Sequence, residues 1–437
     1  MRAEHPISRK LLSPNAVKVL YRLHRAGYLA YLVGGGVRDL LLGGRPKDFD
    51  VGTNARPEEI RRLFRNSRII GRRFRLVHVF YHGEIVEVST FRSSAEAPEA
   101  PENWQEQQRV EQEDEVAAEE SRGKAFQEDN HYGTPREDAF RRDLTINALF
   151  YDISDFSIID WVGGLEDLES RLIRTVGPAE ERFEEDPVRM FRALEYSVRL
   201  GFGLHEEIEA ALHRCHFMIR EAAPARLTYE LMEALRSGHA AEIWKQWRNY
   251  GLLESAFPEI LSDEEGTTTV LGAIDRAVAR GLKVSDATVL ATLFLPGFLR
   301  LLEEMTPDGA RLDNAEFLRC LKDRIQPTVD RMMVSKYNAH LISQGLFALT
   351  KMRRAPTGGR QILKLIRQDS FGTTWDLYRI AAAEKLFDDS VRTAWEQAIR
   401  RAREGADSLP EKSSPPGSGA RRRRRPRRRP RRPKENA

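Results

Sequence analysis

Two hydrophobic periodicities divide this chain, and they cannot belong to the same kind of element. Up to about residue 160 short β-branched and aromatic runs alternate with polar residues, as in "YLAYLV", "KDFDVGT" and "RIIGRRFRLVHVFYHGEIVEVSTF". From Pro178 to about residue 400 apolar residues recur every three to four positions, as in "DPVRMFRALEYSVRLGF" and "PARLTYELMEALRSG". A period of two suits a strand with one buried face, and a period of 3.6 suits an amphipathic helix. The chain therefore reads as α+β, with the sheet in the N-terminal part and an all-helical remainder. At 437 residues it is too long for one ordinary core, and two to four domains are expected.

Within the first part, residues 14–30 predict a helix opened by Pro14 and Asn15 and closed by Gly27. "YLAYLVGGG" predicts a strand running into a glycine turn, "VRDLLLG" a short helix, "KDFDVGT" a second strand, and "RPEEIRRLF" a helix with Pro57 in its first turn. Residues 94–138 are rich in Glu, Gln, Ala and Pro, and predict a mobile insert. "AFRRDLTINALFYDI" then predicts a helix running into a strand, and "DPVRMFRALEYSVRLGF" and "VDRMMVSKYNAHLISQGLFALTKM" predict helices. After Asp407, "SLPEKSSPPGSG" reads as a linker to a disordered Arg/Pro tail.

The formal net charge of +4 conceals two opposed blocks. Residues 421–437 hold eleven Arg or Lys against one Glu, and residues 94–138 hold fourteen Asp or Glu against four Arg or Lys. A polycationic end points to a polyanionic partner such as nucleic acid. Two distant cysteines, Cys215 and Cys320, form no disulfide framework and suit a cytoplasmic protein. No apolar run is long enough for a bilayer, and the charged N-terminus lacks the apolar stretch of a signal peptide, so integral membrane association is not expected. "HRCH" at 213–216 lacks a second ligand pair at zinc spacing.

The chemistry concentrates around "GRPKDFDVG". On a strand, Asp48 and Asp50 point to one face while Phe49 and Val51 point to the other. Two converging carboxylates repel unless a cation sits between them, and Mg²⁺ takes few protein carboxylates, completing its shell with water and substrate phosphates. A lone D-x-D equally suits two solvated acids at a turn. Upstream, Gly34, Gly35 and Gly36 form a strand-to-helix turn whose backbone N–H groups suit a triphosphate, with Arg38 on the first helical turn to pair with phosphate. A dinucleotide fingerprint fails because its third glycine falls on Asp39, and no Gly-Lys-Ser/Thr of a Walker loop follows.

The string "VGGGVRDLLLGGRPKDFDVGTNARPEEIRRLF" resembles the nucleotidyltransferase superfamily of DNA polymerase β, in its class II branch of tRNA nucleotidyltransferases and bacterial poly(A) polymerases. "RRDLTINAL", "DWVGGLEDL" and "EEDPVRMFRAL" are similar to three further motifs of that branch, in order. The resemblance covers roughly residues 30–235 and implies a polymerase-β-like head with a mixed sheet at 1–155. It implies a helical neck at 156–240, a helical body and tail at 241–405 and the basic end at 406–437.

It also implies roles. Asp48 and Asp50 would bind two Mg²⁺ (or Mn²⁺) ions, with Asp143 as the third catalytic carboxylate; separately from the resemblance, the alternation of "EIVEVSTF" equally suits Glu87 facing these metals from a neighbouring strand or facing water on an edge strand. Gly34, Gly35, Arg38 and Arg142 would bind the nucleotide, Thr145 and Asn147 its sugar. Asp186 and Arg189, three apart on a helix, would read the base, with Arg192 extending their face. The substrates would be ATP and RNA 3′ ends. The implied activity is template-independent poly(A) addition, the alternative being CCA or A addition to tRNA. Two features favour poly(A): "IIGRRFRLVHV" resembles a segment of the poly(A) polymerase branch, and the tail resembles its basic C-terminus. Arg72, Arg73 and Arg75 and the tail residues Arg421, Arg422, Arg423, Arg424 and Arg425 would then hold RNA. A monomer is expected, with RNA-decay or RNA-chaperone proteins as candidate partners. A non-catalytic RNA adaptor is the rival of another class.

Overall fold

The computed structural model describes residues 5–71, 75–93, 132–258, 264–307, 311–384 and 388–407. The first helix, α1 (Pro14–Arg25), is capped by Ser13, whose hydroxyl accepts from Asn15 N–H at 3.1 Å. It ends before Gly27, which takes φ +89°. Strand β1 (Ala30–Val33) leads through Gly34 into α2 (Gly35–Leu41), and β2 (Asp50–Thr53) returns beside it. Helix α3 (Pro57–Leu63) precedes β3 (Ser67–Ile70), β4 (Leu76–Tyr81) and β5 (Glu84–Thr90). Later come α4 (Pro135–Phe140), β6 (Phe150–Asp152) and β7 (Ile158–Ile159).

These strands form one mixed sheet in the order β3-β4-β5-β2-β1-β6-β7. The β2–β5 pair is parallel and its other neighbours are antiparallel. One face buries Leu32, Val51, Val77, Val79, Val86 and Val88 under Leu20, Leu23, Ile60 and Phe64 of α1 and α3 with its following loop. The other face buries Tyr31, Val33, Phe91 and Phe150 with Val176, and Trp161 meets Phe150 edge-on at 5.3 Å. The sheet reaches Ile159, past the expected head limit at 155.

The helical part continues with α5 (Gly164–Glu169), α6 (Ala179–Glu185), α7 (Val188–Leu200), α8 (Glu206–Cys215) and α9 (Pro224–Arg236). Ten more helices, among the described residues, run from Ala240–Asn249 to Asp389–Asp407. One contiguous apolar cluster extends from Leu144 to Ile399, so the core has no gap at the expected neck boundary near 240. There Phe191 and Trp247 meet at 4.2 Å, and Trp247 Nε1 donates to Phe191 O at 3.1 Å. None of the described helices is long and apolar enough to cross a membrane.

Several expected elements are corrected. Tyr132 bridges to Arg92 and α4 begins at Pro135, so the expected insert, which runs to 138, overlaps α4; its residues 94–131 lie outside the described residues. Thr134 and Glu137 form a reciprocal cap there, with Pro135 in the first turn. That helix stops at Phe140 instead of running into β6, because the backbone of residues 143–145 pairs with 174–176: Thr145 N donates to Arg174 O at 3.0 Å and Val176 N to Asp143 O at 3.1 Å. The helix expected from Asp186 begins only at Val188: Asp186 is extended and ends α6, and Pro187 offers no N–H. "VDRMMVSKYNAHLISQ" breaks at Met333, with φ +51°, between Asn314–Arg331 and Lys336–Met352.

Candidate active site

The D-x-D segment sits where β1 hands over to α2. Val33 is the register partner of Asp50, so Asp50 lies beside the glycine turn. Val51 pairs with Val88 in the parallel β2–β5 ladder, and one step back on both strands sets Asp50 next to Glu87. Asp48 falls just outside β2 and is exposed, a correction to the expectation that both aspartates belong to one strand. Phe49 packs against the head core and Val51 is fully buried. A groove of about 560 Å³, lined by Lys47, Asp48, Phe49, Tyr81, Glu84 and Ile85, opens beside the pair.

Burial, Glu87 and Asp48 together push the Asp50 carboxyl up to about 6, against the opposing charge of Arg142. Arg142 only partly offsets the negative charge of this cluster. No three His, Cys, Asp or Glu side chains among the described residues converge closely enough to hold an ion alone. Mg²⁺ needs only one or two carboxylates when substrate phosphates and water complete its octahedron. Asp48 and Asp50, with Glu87 alongside, therefore fit that ion. Sequence reasoning gave Glu87 little weight; the register of β5 on β2 is what sets it there.

The glycines act through close approach. Gly34 takes φ +74°, and a Cβ there would lie 3.0 Å from Arg142 Nη1. A Cβ at Gly36 would lie 3.3 Å from Asp48 O. Arg142 is thus held over the turn, with Nη1 donating to Asn147 O at 3.2 Å and Nη2 to Asp138 Oδ2 at 3.0 Å. Arg38 is placed differently from the expectation of a free phosphate ligand. It is 3% exposed. Its Nε and Nη2 donate to Asp39 Oδ1 at 2.9 and 2.7 Å, and its Nη1 donates to Asn147 Oδ1.

Thr145 and Asn147, expected at the sugar, are 2% and 5% exposed. Thr145 Oγ1 donates to Asp167 Oδ2 at 2.6 Å, and Asn147 Nδ2 donates to Asp143 Oδ1 at 3.2 Å. These side chains wire the second motif to the first and third.

Asp143 does not gather with Asp48 and Asp50. Its Oδ2 accepts from Arg192 Nε at 2.6 Å, and its Oδ1 accepts from Leu144 N at 2.8 Å. Burial alone would push its carboxyl up; Arg192 and these hydrogen bonds hold it down at about 2. Arg192 Nη1 also reaches Glu230 at 3.4 Å, and its guanidinium lies 5.4 Å from the Tyr196 ring centre. Asp143–Arg192–Glu230 thus couples head to neck.

Asp186 and Arg189 flank the first turn of α7 without bonding to each other through their side chains. Asp186 Oδ2 accepts from Arg226 Nη1 at 2.6 Å, and Arg189 Nη1 donates to Glu185 Oε2 at 2.6 Å. Arg182, Arg226 and Glu230 escaped the sequence reading. Arg182 Nη2 donates to the carbonyls of Arg141 and Arg142, both at 2.9 Å, tying the second motif to α6, which leads into the fourth. Such long-range partners leave no local signal. Arg75 pairs with Glu58 at 2.6 Å, while Arg72, Arg73 and Arg421–Arg425 lie outside the described residues.

A family model described as "Poly A polymerase head domain" matches residues 30–174, and one described as "Probable RNA and SrmB- binding site of polymerase A" matches residues 201–263. Poly(A) polymerase I of Salmonella typhi is 36% identical over 390 residues, covering 87% of this chain and 81% of the relative. The chain belongs to the family of poly(A) polymerases and CCA-adding enzymes. Like its relatives in that family it is a nucleotidyltransferase. The CCA-adding enzyme of Lactobacillus johnsonii is 38% identical over 221 residues, covering 50% of this chain and 49% of the relative. Two solved structures share the fold. One is a tRNA nucleotidyltransferase complexed with a primer tRNA and an incoming ATP analog, with TM-score 0.54, 22% identity and coverage of 88% of this chain and 99% of that one. The other is a CCA-adding enzyme with CTP, with TM-score 0.55, 18% identity and coverage of 90% and 84%.

Proposed function

We propose that this nucleotidyltransferase is a template-independent poly(A) polymerase that adds AMP from ATP to RNA 3′ ends and releases pyrophosphate. The observation that carries the choice is the extent of the likeness: it runs over 390 residues with poly(A) polymerase I, but over 221 with the CCA-adding enzyme of Lactobacillus johnsonii. The shared head alone does not discriminate between the two activities.

Asp48, Asp50 and Glu87 would hold Mg²⁺ (or Mn²⁺), which when bound supplies the positive charge that activates the attacking 3′-oxygen and stabilises the departing pyrophosphate. Arg142, over the Gly34 turn, neutralises phosphate charge. Asp143 acts through Arg192, fixing a guanidinium between head and neck. Asp186 and Arg189 offer an acceptor and a donor to the adenine edge. Arg38, Thr145 and Asn147 hold this frame in register. The Arg/Pro end adds backbone affinity through counterion release, without sequence preference.

Incubating the protein with unrelated RNAs, with tRNA lacking CCA, and with each NTP singly tests the proposal. Long A tails on RNAs other than tRNA support it; CMP incorporation into tRNA alone overturns it. Asp48→Ala and Asp50→Ala should each abolish incorporation, and unchanged incorporation would remove the catalytic assignment.

A further inference from the structure

One face of α9 runs along the cleft between neck and head. Arg226 near its start bonds Asp186, Glu230 accepts from Arg192, and Glu233 meets Lys47 Nζ at 3.2 Å, next to Asp48. Positions 226, 230 and 233 recur at helical spacing, so this face passes from the base-reading junction to the catalytic carboxylates. Tyr229 lies three residues beyond Arg226 and four before Glu233, on the same face, and it is 61% exposed. Its ring has no aromatic or cationic partner among the described residues. Its neighbour Thr228 donates to Met332 O at 3.0 Å, which fixes the rotation of the helix.

The Tyr229 hydroxyl is pushed above the ordinary phenol range by desolvation, then by Glu233 and Glu230 of the neck, with Glu87 of the head contributing and Arg192 opposing. Charges from both sides of the cleft therefore reach it, and the ring stays neutral near pH 7, with no charge to repel phosphate. An exposed, uncharged aromatic at such a place is a platform for a nucleobase, and stacking tolerates any base because every base has a π-face.

We infer that Tyr229 stacks on the 3′-terminal nucleobase of the acceptor RNA and so seats the 3′-hydroxyl toward Asp48 and Asp50. This rests on the adenylyl-transfer reading. The acceptor end is favoured over the ATP base because Asp186 and Arg189 occupy the opposite end of the same face, while Glu233 and Lys47 lead to the carboxylates where the 3′-hydroxyl must arrive.

The test uses the full chain, Tyr229→Ala and Tyr229→Phe, and an RNA ending in 2-aminopurine. Wild type and Tyr229→Phe should quench the terminal 2-aminopurine on binding, and Tyr229→Ala should not. Stacking is worth about 1–3 kcal/mol per base, so the KM for RNA should rise roughly 5- to 150-fold in Tyr229→Ala, with the KM for ATP unchanged. An RNA with an abasic 3′ nucleotide should bind wild type and Tyr229→Ala alike. Equal quenching and equal RNA KM in Tyr229→Ala overturn the inference while leaving adenylyl transfer intact. A rise in the ATP KM alone assigns the ring to the ATP base and also overturns it. If wild type extends no RNA with any nucleotide, the adenylyl-transfer reading itself fails and takes this inference with it.

Discussion

Replacing Asp50 by asparagine should stabilise the metal-free head progressively, relative to wild type, as pH rises from 4 to 8. Burial and the neighbouring Glu87 and Asp48 raise the Asp50 carboxyl from 3.8 to about 6. A folded-state pKa above the unfolded one means that this group favours the fold only while protonated. That contribution is fully present below 3.8 and is lost as pH rises through about 6. By linkage, ionised Asp50 costs the fold less than about 1 kcal/mol at pH 4 and about 3 kcal/mol at pH 8. The asparagine has its own fixed desolvation cost, which cancels in the pH difference, leaving about 2 kcal/mol. Hydrogen exchange of the β1, β2 and β5 amides in EDTA reads head stability without requiring the whole chain to unfold in one step. The protection ratio of Asp50→Asn to wild type should increase by more than about tenfold between pH 4 and pH 8. Mg²⁺ at pH 8 should restore wild type and do little for the variant. A ratio that is flat with pH would show that Asp50 does not carry uncompensated charge, and the argument for a cation there would fall.

Arg192→Met leaves Asp143 buried without its cation and should cost about 3–5 kcal/mol in urea unfolding, with Asp143→Asn/Arg192→Met recovering part of the loss; strictly additive effects would contradict the coupling. Because Asp143 is held at about 2, its contribution to wild-type stability is present above 3.8 and lost as pH falls through about 2, and Arg192→Met should lack that acid transition. Gly164→Ala places a Cβ 2.3 Å from Thr145 O, so the backbone has to shift. A loss of about 2–3 kcal/mol and a lower thermal midpoint are expected, and an unchanged midpoint would refute that contact. Lys47→Ala breaks an exposed ion pair with Glu233 and should change stability by less than about 1 kcal/mol in the same unfolding assay.

The readable parts of the fold were those with local causes. Pro14 starts α1, Gly34 and Gly43 bracket α2 with positive φ, and alternation in "RLVHVFY" and "EIVEVST" places β4 and β5. The missed breaks had non-local or backbone causes. The helix expected from Ala139 into β6 fails because residues 143–145 find backbone partners at 174–176, some thirty residues away. Side-chain periodicity does not register that competition.

For the site, residue types and order were enough to single out Asp48, Asp50, the glycine turn and the four motifs, since strand alternation, positive φ and short-range spacing are written in the local chain. Tertiary structure decided the partners. Parallel pairing of β2 with β5 brought Glu87 to Asp50, packing turned Arg38, Thr145 and Asn147 inward, and α7 delivered Arg192 to Asp143 in place of a third clustered carboxylate. Each depends on which distant group desolvates or neutralises a side chain, and Coulomb interaction and burial follow distance in space rather than in sequence.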